Sequence, residues 1–218
     1  MSLPAAVLDH LVVAAHTLEQ GLGYVQDQIG VTLTGGGKHA AMGTHNRVLK
    51  LGPGQYLEVI AIDPEGSPPD FPRWFNLDDP GFQARLKIRP RLITWVVRTD
   101  NVDALAEAIY GQRVCVRPMQ RGELRWRFAF TDDGSMPGDG LIPHIIQWDG
   151  HTHPTDKMQD AGCTLLGLDG SRIDAESVIR VISSMGLDHL ITFHPVSKQR
   201  PPGLSARIKT PAGVVVMD

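Results

Sequence analysis

The sequence predicts an α+β architecture in which repeated βαβββ modules form curved mixed sheets around a cleft, with a third, degenerate module behind them. Three observations carry that prediction. A strand, a helix and three strands can be laid from Leu8-Asp9-His10-Leu11-Val12-Val13 to Tyr56-Leu57-Glu58-Val59-Ile60. The same order fits from Leu92-Ile93-Thr94-Trp95-Val96-Val97 to His144-Ile145-Ile146-Gln147-Trp148, and a repeat on this scale decides a fold before single residues are weighed. Finally, 218 residues with 42% hydrophobic content can bury a sizeable core in one large or two small domains.

The first module is expected over residues 1–63. Val7 to Ala15 is a mostly apolar strand. Thr17 offers an N-cap, Leu18, Leu22, Val25 and Ile29 follow at helical spacing, and Gly30 ends the helix. Thr32 to Thr34 and Asn46 to Leu51 read as short strands around a loop from Gly35 to Thr44. Gln55 to Ile62 is the fourth strand, stopped by Pro64. Residues 64–90 are rich in proline and aspartate and carry Phe71, Trp74 and Phe75. Such a segment is too long for a hairpin and too aromatic for a disordered linker, so it is expected to pack across the first module as a connection or lid.

The second module is expected over residues 91–155. Asp100 or Asn101 can cap a helix carrying Val102, Leu105 and Ile109, with Gly111 at its end. Strands follow at Arg113 to Arg117, Leu124 to Thr131 and Leu141 to Trp148, the last two joined by a loop with Gly134, Pro137, Gly138 and Gly140. Residues 156–218 suggest the pattern once more: a strand at Thr164 to Leu168, a helix at Asp174 to Met185, and three short strands at His189–His194, Leu204–Lys209 and Val214–Met217. This third copy closes without a carboxylate or imidazole and is expected to be structural. Whether it pairs within the chain or across a homodimer stays open.

Composition excludes several functions. A net charge of -3 and a pI near 6.3 argue against a nucleic-acid surface. The basic stretch Arg121 to Arg127 alternates with Trp126, Phe128 and Phe130 as a strand would. Cys115 and Cys163 lack any CxxC spacing and read as reduced small hydrophobes. Met1-Ser2-Leu3-Pro4 opens no signal peptide, and no apolar run approaches the ~18 residues of a membrane span. The expectation is a cytoplasmic globular protein that handles small molecules.

The candidate chemistry sits on the first and last strands of the modules. Two curved sheets placed together leave a concave cleft on which inward residues of those strands converge: His10 and Glu58 from the first module, Ile93 or Thr94 and Gln147 from the second. Glu58 stands in an apolar run, where a carboxylate costs several kcal/mol unless paired, metal-bound or protonated. Arg125 or Arg127 could pair with it and make the site purely structural. His144, three residues before Gln147, is expected on the opposite strand face. Between Gly35 and Asn46, three glycines allow close backbone approach while His39, His45 and Asn46 supply donors and acceptors. It is not a phosphate loop, because Lys38 is followed by His39 and position 32 is threonine.

Leu8-Asp9-His10-Leu11-Val12-Val13, the run Gly35 to Asn46, Tyr56-Leu57-Glu58, Leu124-Arg125-Trp126-Arg127, and Ile142 to Trp148 with His153-Pro154 resemble the vicinal-oxygen-chelate superfamily, specifically its glyoxalase-like domain proteins. The resemblance covers residues 7 to 155 well and the remainder loosely. It implies a divalent metal, zinc, manganese, nickel or iron, held by His10, Glu58 and Gln147, with Ile93 or Thr94 departing from the fourth ligand. A metal-free site is equally open. It further implies a lyase or isomerase acting on a carbonyl or oxygen-chelating substrate. The residues themselves put Glu58 and His39 forward as catalytic, and His45, Asn46, Trp74 and Arg127 as substrate contacts. The alternatives are a metal-free protein that sequesters a planar or hydrophobic compound, and a structural module whose cleft is closed by Phe71, Trp74 and Phe75. Relatives of one fold do all of these, so fold does not fix function.

Overall fold

The computed structural model describes residues 3–111, 114–150, 152–198 and 200–218. Strand β1 (Val7–Ala14) is buried at every position but the first, which requires cover on both faces. Helix α1 (Leu18–Ile29) follows. Its cap Thr17 accepts from the Gln20 amide, and Gly30 ends it in the left-handed region at φ 70°. Leu18, Val25 and Ile29 face inward, while Leu22 is half-buried. Strands β2 (Thr34–His39), β3 (Thr44–Lys50) and β4 (Tyr56–Ile62) complete this run.

The expected loop from Gly35 is thus largely strand. Its glycines explain why: a Cβ on Gly36 would lie 2.3 Å from the Asn46 carbonyl oxygen, so only glycine lets β2 approach β3 there. Residues 64–90 also differ from expectation, because they contain helix α2 (Pro80–Ile88). Asp79 caps it by accepting from the Phe82 amide, and Pro80 fills the first turn, a start signal legible as Asp-Pro.

The second run is β5 (Arg91–Arg98), α3 (Val102–Tyr110), β6 (Val114–Arg121), β7 (Leu124–Thr131) and β8 (His144–Trp148). Arg113, expected to open β6, lies outside the described residues. All eight strands form one sheet in the order β2-β3-β4-β1-β5-β8-β7-β6. In each half the first strand pairs in parallel with the last, β1 with β4 and β5 with β8, and the halves join through antiparallel β1 and β5. Alternation then sorts the side chains. Leu11, Val13, Leu57 and Val59 pack with α1 and α3, while Val12, Ala14, Ile60, Val96 and Ile146 face the concave side. Trp74, Phe75, Leu77, Phe82 and Leu86 fill that concavity, so residues 64–90 pack across both halves and not the first alone.

The third run is β9 (Thr164–Ser171), α4 (Glu176–Ser184), β10 (Ile191–His194), β11 (Gly203–Thr210) and β12 (Gly213–Met217). Its element order repeats the pattern, but its wiring does not. The sheet runs β10-β9-β11-β12, so β9 pairs in parallel with the strand directly after its helix. The sheet packs within the chain, where Leu168, Val178, Ile182, Leu204 and Ile208 join the core of α1 and α3. Cys115 and Cys163 are free thiols. Among the described residues no helix is long and apolar enough to cross a membrane.

Candidate active site

The β1–β5 pairing slips near its start. Leu8 faces Val97 and His10 faces Val96, which leaves Asp9 as the extra residue of a bulge. A bulge interrupts strict alternation, and consecutive side chains meet: Asp9 Oδ1 lies 2.7 Å from His10 Nδ1. Asp9 is fully buried. Its second oxygen accepts from Trp148 Nε1 at 2.9 Å and lies 3.0 Å from His153 Nε2. Burial alone would raise the Asp9 carboxyl, but hydrogen bonds and charge from His10 and His153 outweigh it and hold it well below the usual carboxylate range. An ionised Asp9 only accepts, so His10 donates through Nδ1, and its neutral form presents a lone pair at Nε2. The His10 ring stacks on Tyr56 at 4.5 Å. Burial, then the charges of Asp9 and Glu58, push the Tyr56 hydroxyl well above its ordinary value.

Glu58 comes from β4 and is 5% exposed. Its Oε1 accepts from Asn46 Nδ2 at 2.5 Å and lies 3.9 Å from His39 Nε2, and its Oε2 lies 3.6 Å from His10 Nε2. A carboxylate therefore stands between two imidazole nitrogens, each just beyond hydrogen-bond distance. The groups within 3.4 Å of His39 Nε2 are donors, Asn46 Nδ2 and Arg121 Nη1. That assigns the lone pair to Nε2 and the proton to Nδ1, which meets Thr44 Oγ1 at 3.1 Å. Burial lowers the His39 pKa to about 4; the pull of Glu58 opposes this and the charge of Arg121 reinforces it, so His39 is neutral at pH 7.

Arg121 ends the edge strand β6 and reaches the opposite edge of the sheet. It donates to Asn46 Oδ1 at 2.9 Å, an oxygen that also accepts from the Gly37 amide at 2.8 Å. A Cβ on Gly37 would stand 3.0 Å from Arg121 Cδ, so glycine makes room for the guanidinium.

The remaining walls are aromatic. Trp74 stands edge-on to His39 at 5.2 Å and to Phe128 at 5.2 Å, and Trp126, Trp148 and Ile146 close the other sides. The cavity these walls leave is ≈ 30 Å³, space for a water molecule or two. Phe75 (φ 61°) and Asn76 (φ 55°) both occupy the left-handed region, which for a bulky phenylalanine is a strained conformation. Trp74 Nε1 and His144 Nε2 are buried without a hydrogen-bond partner among the described residues. The His144 ring packs edge-on to Phe75 at 4.9 Å, and burial lowers its pKa to about 3.

The structure thus brings His10, His39, Asn46, Glu58 and Trp74 to one cavity, and it places three other candidates elsewhere. Gln147 accepts from the Val102 amide at 2.9 Å, capping α3 on the far face of the sheet. Arg127 points outward and grips Asp103 through two bonds of 2.6 and 2.7 Å. His45, half-buried, follows Thr44 and precedes Asn46 on a strand whose alternate residues are buried, so it faces away from the cavity. His144 and Gln147 do occupy opposite faces, but the inward one is His144. Asp9, Arg121 and His144 are the residues that sequence reasoning missed. The alternation of Trp126, Phe128 and Phe130 with Arg125 and Arg127 was a usable signal for which arginines point out. The bulge at Asp9 had none.

A metal of the kind the resemblance implies takes donors from both halves. Here the second half contributes indole, phenyl and aliphatic walls, and its one charged group, Arg121, is a cation 3.4 Å from His39 Nε2. Among the described residues no three His, Cys, Asp or Glu side chains are arranged to hold a metal ion. This donor set does not fit a divalent site.

A family model described as a glyoxalase-like domain matches residues 8–185. No curated protein matches the chain. Among solved structures, a hypothetical protein from Staphylococcus aureus is similar at 15% identity and a TM-score of 0.58, over 83% of this chain and 74% of that one. Methylmalonyl-CoA epimerase from Mycobacterium tuberculosis aligns at 19% identity and a TM-score of 0.42, over 70% and 92%. The Streptomyces coelicolor epimerase in complex with 2-nitronate-propionyl-CoA aligns at 18% and 0.43, over 70% and 98%. At these values the first is a likeness of fold, and the epimerases bear on no residue here. With the family match spanning most of its length, the chain belongs to the glyoxalase-like domain family of the vicinal-oxygen-chelate superfamily.

Proposed function

We propose that this protein is an isomerase or lyase that moves a proton at a carbon next to the carbonyl of a small organic substrate. The observation that carries the reading is the Glu58 carboxylate, steadied by Asn46 at 2.5 Å and flanked by two imidazole nitrogens at 3.6 and 3.9 Å. In the proposed step Glu58 takes the carbon-bound proton, and the bonding pair moves onto the carbonyl oxygen as an enolate. Arg121 stabilises that charge inside an aromatic enclosure where electrostatic interactions are strong. Protonated Glu58, or His10 once its Nε2 lone pair has taken that proton from Glu58, returns the proton to the neighbouring atom, so atoms balance without a co-reactant. No step is routed through a metal, since the donor set does not fit one. Family membership supports the reaction class and leaves the substrate unnamed. Two free thiols agree with a cytoplasmic setting.

A substrate does not fit ≈ 30 Å³, so it is admitted only when the Trp74–Phe75 turn withdraws. The filled cleft is also what a structural module closed by its own segment would present, and this is the second reading. Two features favour a turn that moves. Phe75 is strained, and the unpartnered Trp74 Nε1 and His144 Nε2 are groups that settled cores rarely leave unsatisfied.

The test is deuterium wash-in from heavy water, followed by NMR, over a panel of 2-hydroxyketones, 2-hydroxyaldehydes and 3-oxo acids. Enzyme-dependent exchange at the carbon next to the carbonyl, abolished by Glu58→Gln, is the expected result. Absence of exchange across the panel, with neither wild type nor Trp74→Ala binding any member, would favour the closed structural module.

A further inference from the structure

A groove of ≈ 840 Å³ lies between the four-stranded sheet and the rest of the chain, a volume suited to a small molecule. Five arginines and three aspartates line it, with no lysine or glutamate. This is a local excess of positive charge in a chain whose net charge is -3. The aspartates are already engaged. Asp139 pairs with Arg172 at 2.6 Å. Asp169 holds both His194 at 2.6 Å and Arg207 at 2.9 Å. Asp218 pairs with Arg89, which lies outside the lining. Arg85, Arg91 and Arg200 remain, with no carboxylate partner among the described residues.

These three arrive from separate parts of the chain: the last turn of α2, the first residue of β5, and the connection between β10 and β11. Arg200 is held in a built turn, donating its amide to Ser197 O at 3.1 Å and accepting from the Ser197 amide at 2.9 Å. Buried Ser171 also donates to the Arg200 carbonyl at 3.5 Å. Three guanidinium groups on one concave surface, with no carboxylate of their own, set up a local positive potential that favours an anion there. Guanidinium binds carboxylate and phosphate oxygens alike, often through two parallel bonds.

We infer that this groove is a binding site for a small molecule bearing two or more negative charges, as carboxylates or phosphates, anchored by Arg91 and Arg200 with Arg85 beside them. It stands independently of the reading of the central cleft. The two spaces are neighbours all the same: Phe75 lines the cavity and the next residue, Asn76, lines the groove.

The experiment is calorimetric titration of the full chain with inorganic pyrophosphate and with citrate, at low and high salt. At least one probe is expected to bind, more weakly as salt rises. Binding by pyrophosphate alone would assign a phosphate ligand, and binding by citrate alone a polycarboxylate. The double variant Arg91→Gln/Arg200→Gln should weaken that binding about tenfold or more. A control with the same charge change outside the groove, Arg125→Gln/Arg180→Gln, should leave it within about twofold. All four arginines are exposed, and matching melting curves would establish that the variants fold. Silence from both probes, or equal weakening in the two double variants, overturns the assignment.

Discussion

The two halves of the large sheet are wired alike and differ in chemistry. Each pairs its first strand in parallel with its last and adds an antiparallel hairpin beyond it. Toward the cavity the first half presents His10, His39, Asn46 and Glu58, whereas the second presents Trp126, Phe128, Ile146 and Trp148, with Arg121 at its edge. Repeating a scaffold therefore need not repeat its chemistry. In the proposed step, one half carries the groups that exchange protons. The other supplies a dry wall that strengthens their interactions, together with the cation that would face a developing oxyanion.

The sharpest way to break this contrast is to exchange the roles of the halves. Glu58→Gln should cost about 10²–10⁴ in turnover, measured with whichever substrate shows exchange. Arg127→Ala, on the outer face of the second half, should leave turnover within about threefold, because removing an exposed ion pair reaches no cavity group. Arg121→Gln should fall between them, lowering turnover by about a hundredfold with little change in melting temperature.

Stability against pH separates the halves more finely. His39 titrates at about 4 in the folded chain and His144 at about 3, both below the ordinary histidine value of 6.5. The unfolded chain therefore binds more protons at these positions below that value. Full stability is present above pH 6.5 and declines as pH falls toward the folded values, by about 3 kcal/mol for His39 alone. Urea midpoints at neutral and acid pH should fall more steeply for wild type than for His39→Gln. Gln147→Ala should lower stability by about 1 kcal/mol through loss of the α3 cap and leave turnover untouched. The smallest effect is at the turn. Asn76→Ala places an alanine at φ 55°, which costs the closed turn about 1 kcal/mol and should speed hydrogen exchange of the Trp74 indole.

Much of this was legible in the sequence, for reasons that particular residues make plain. Thr17 and Gly30 bracket α1 because capping chemistry is local, and the apolar runs of β1, β4 and β5 and the period-two alternation of β7 declare themselves. His10, Glu58, His39 and Asn46 could be picked out because polar groups in apolar or glycine-rich runs need a reason to be there. What stayed hidden depends on register. The choice of Gln147 over His144 turned on which strand face looks inward, and one residue of slip reverses that. Asp9 reaches His10 only through a bulge that the residues do not announce. Arg121 joins the site because the two edges of the curved sheet meet, a consequence of curvature across the whole sheet. The Trp74–Phe75 turn fills the cavity by long-range packing, although the Asp79-Pro80 start of α2 was there to be read.

The central claim is that the carboxylate of the first half moves a substrate proton while the amide of the second half only holds a helix. The most direct test compares deuterium wash-in by wild type, Glu58→Gln and Gln147→Ala on one substrate, with folding verified by melting curves. The account predicts exchange in wild type and Gln147→Ala, and its collapse in Glu58→Gln. Undiminished exchange in a folded Glu58→Gln, or its loss in a folded Gln147→Ala, would contradict it.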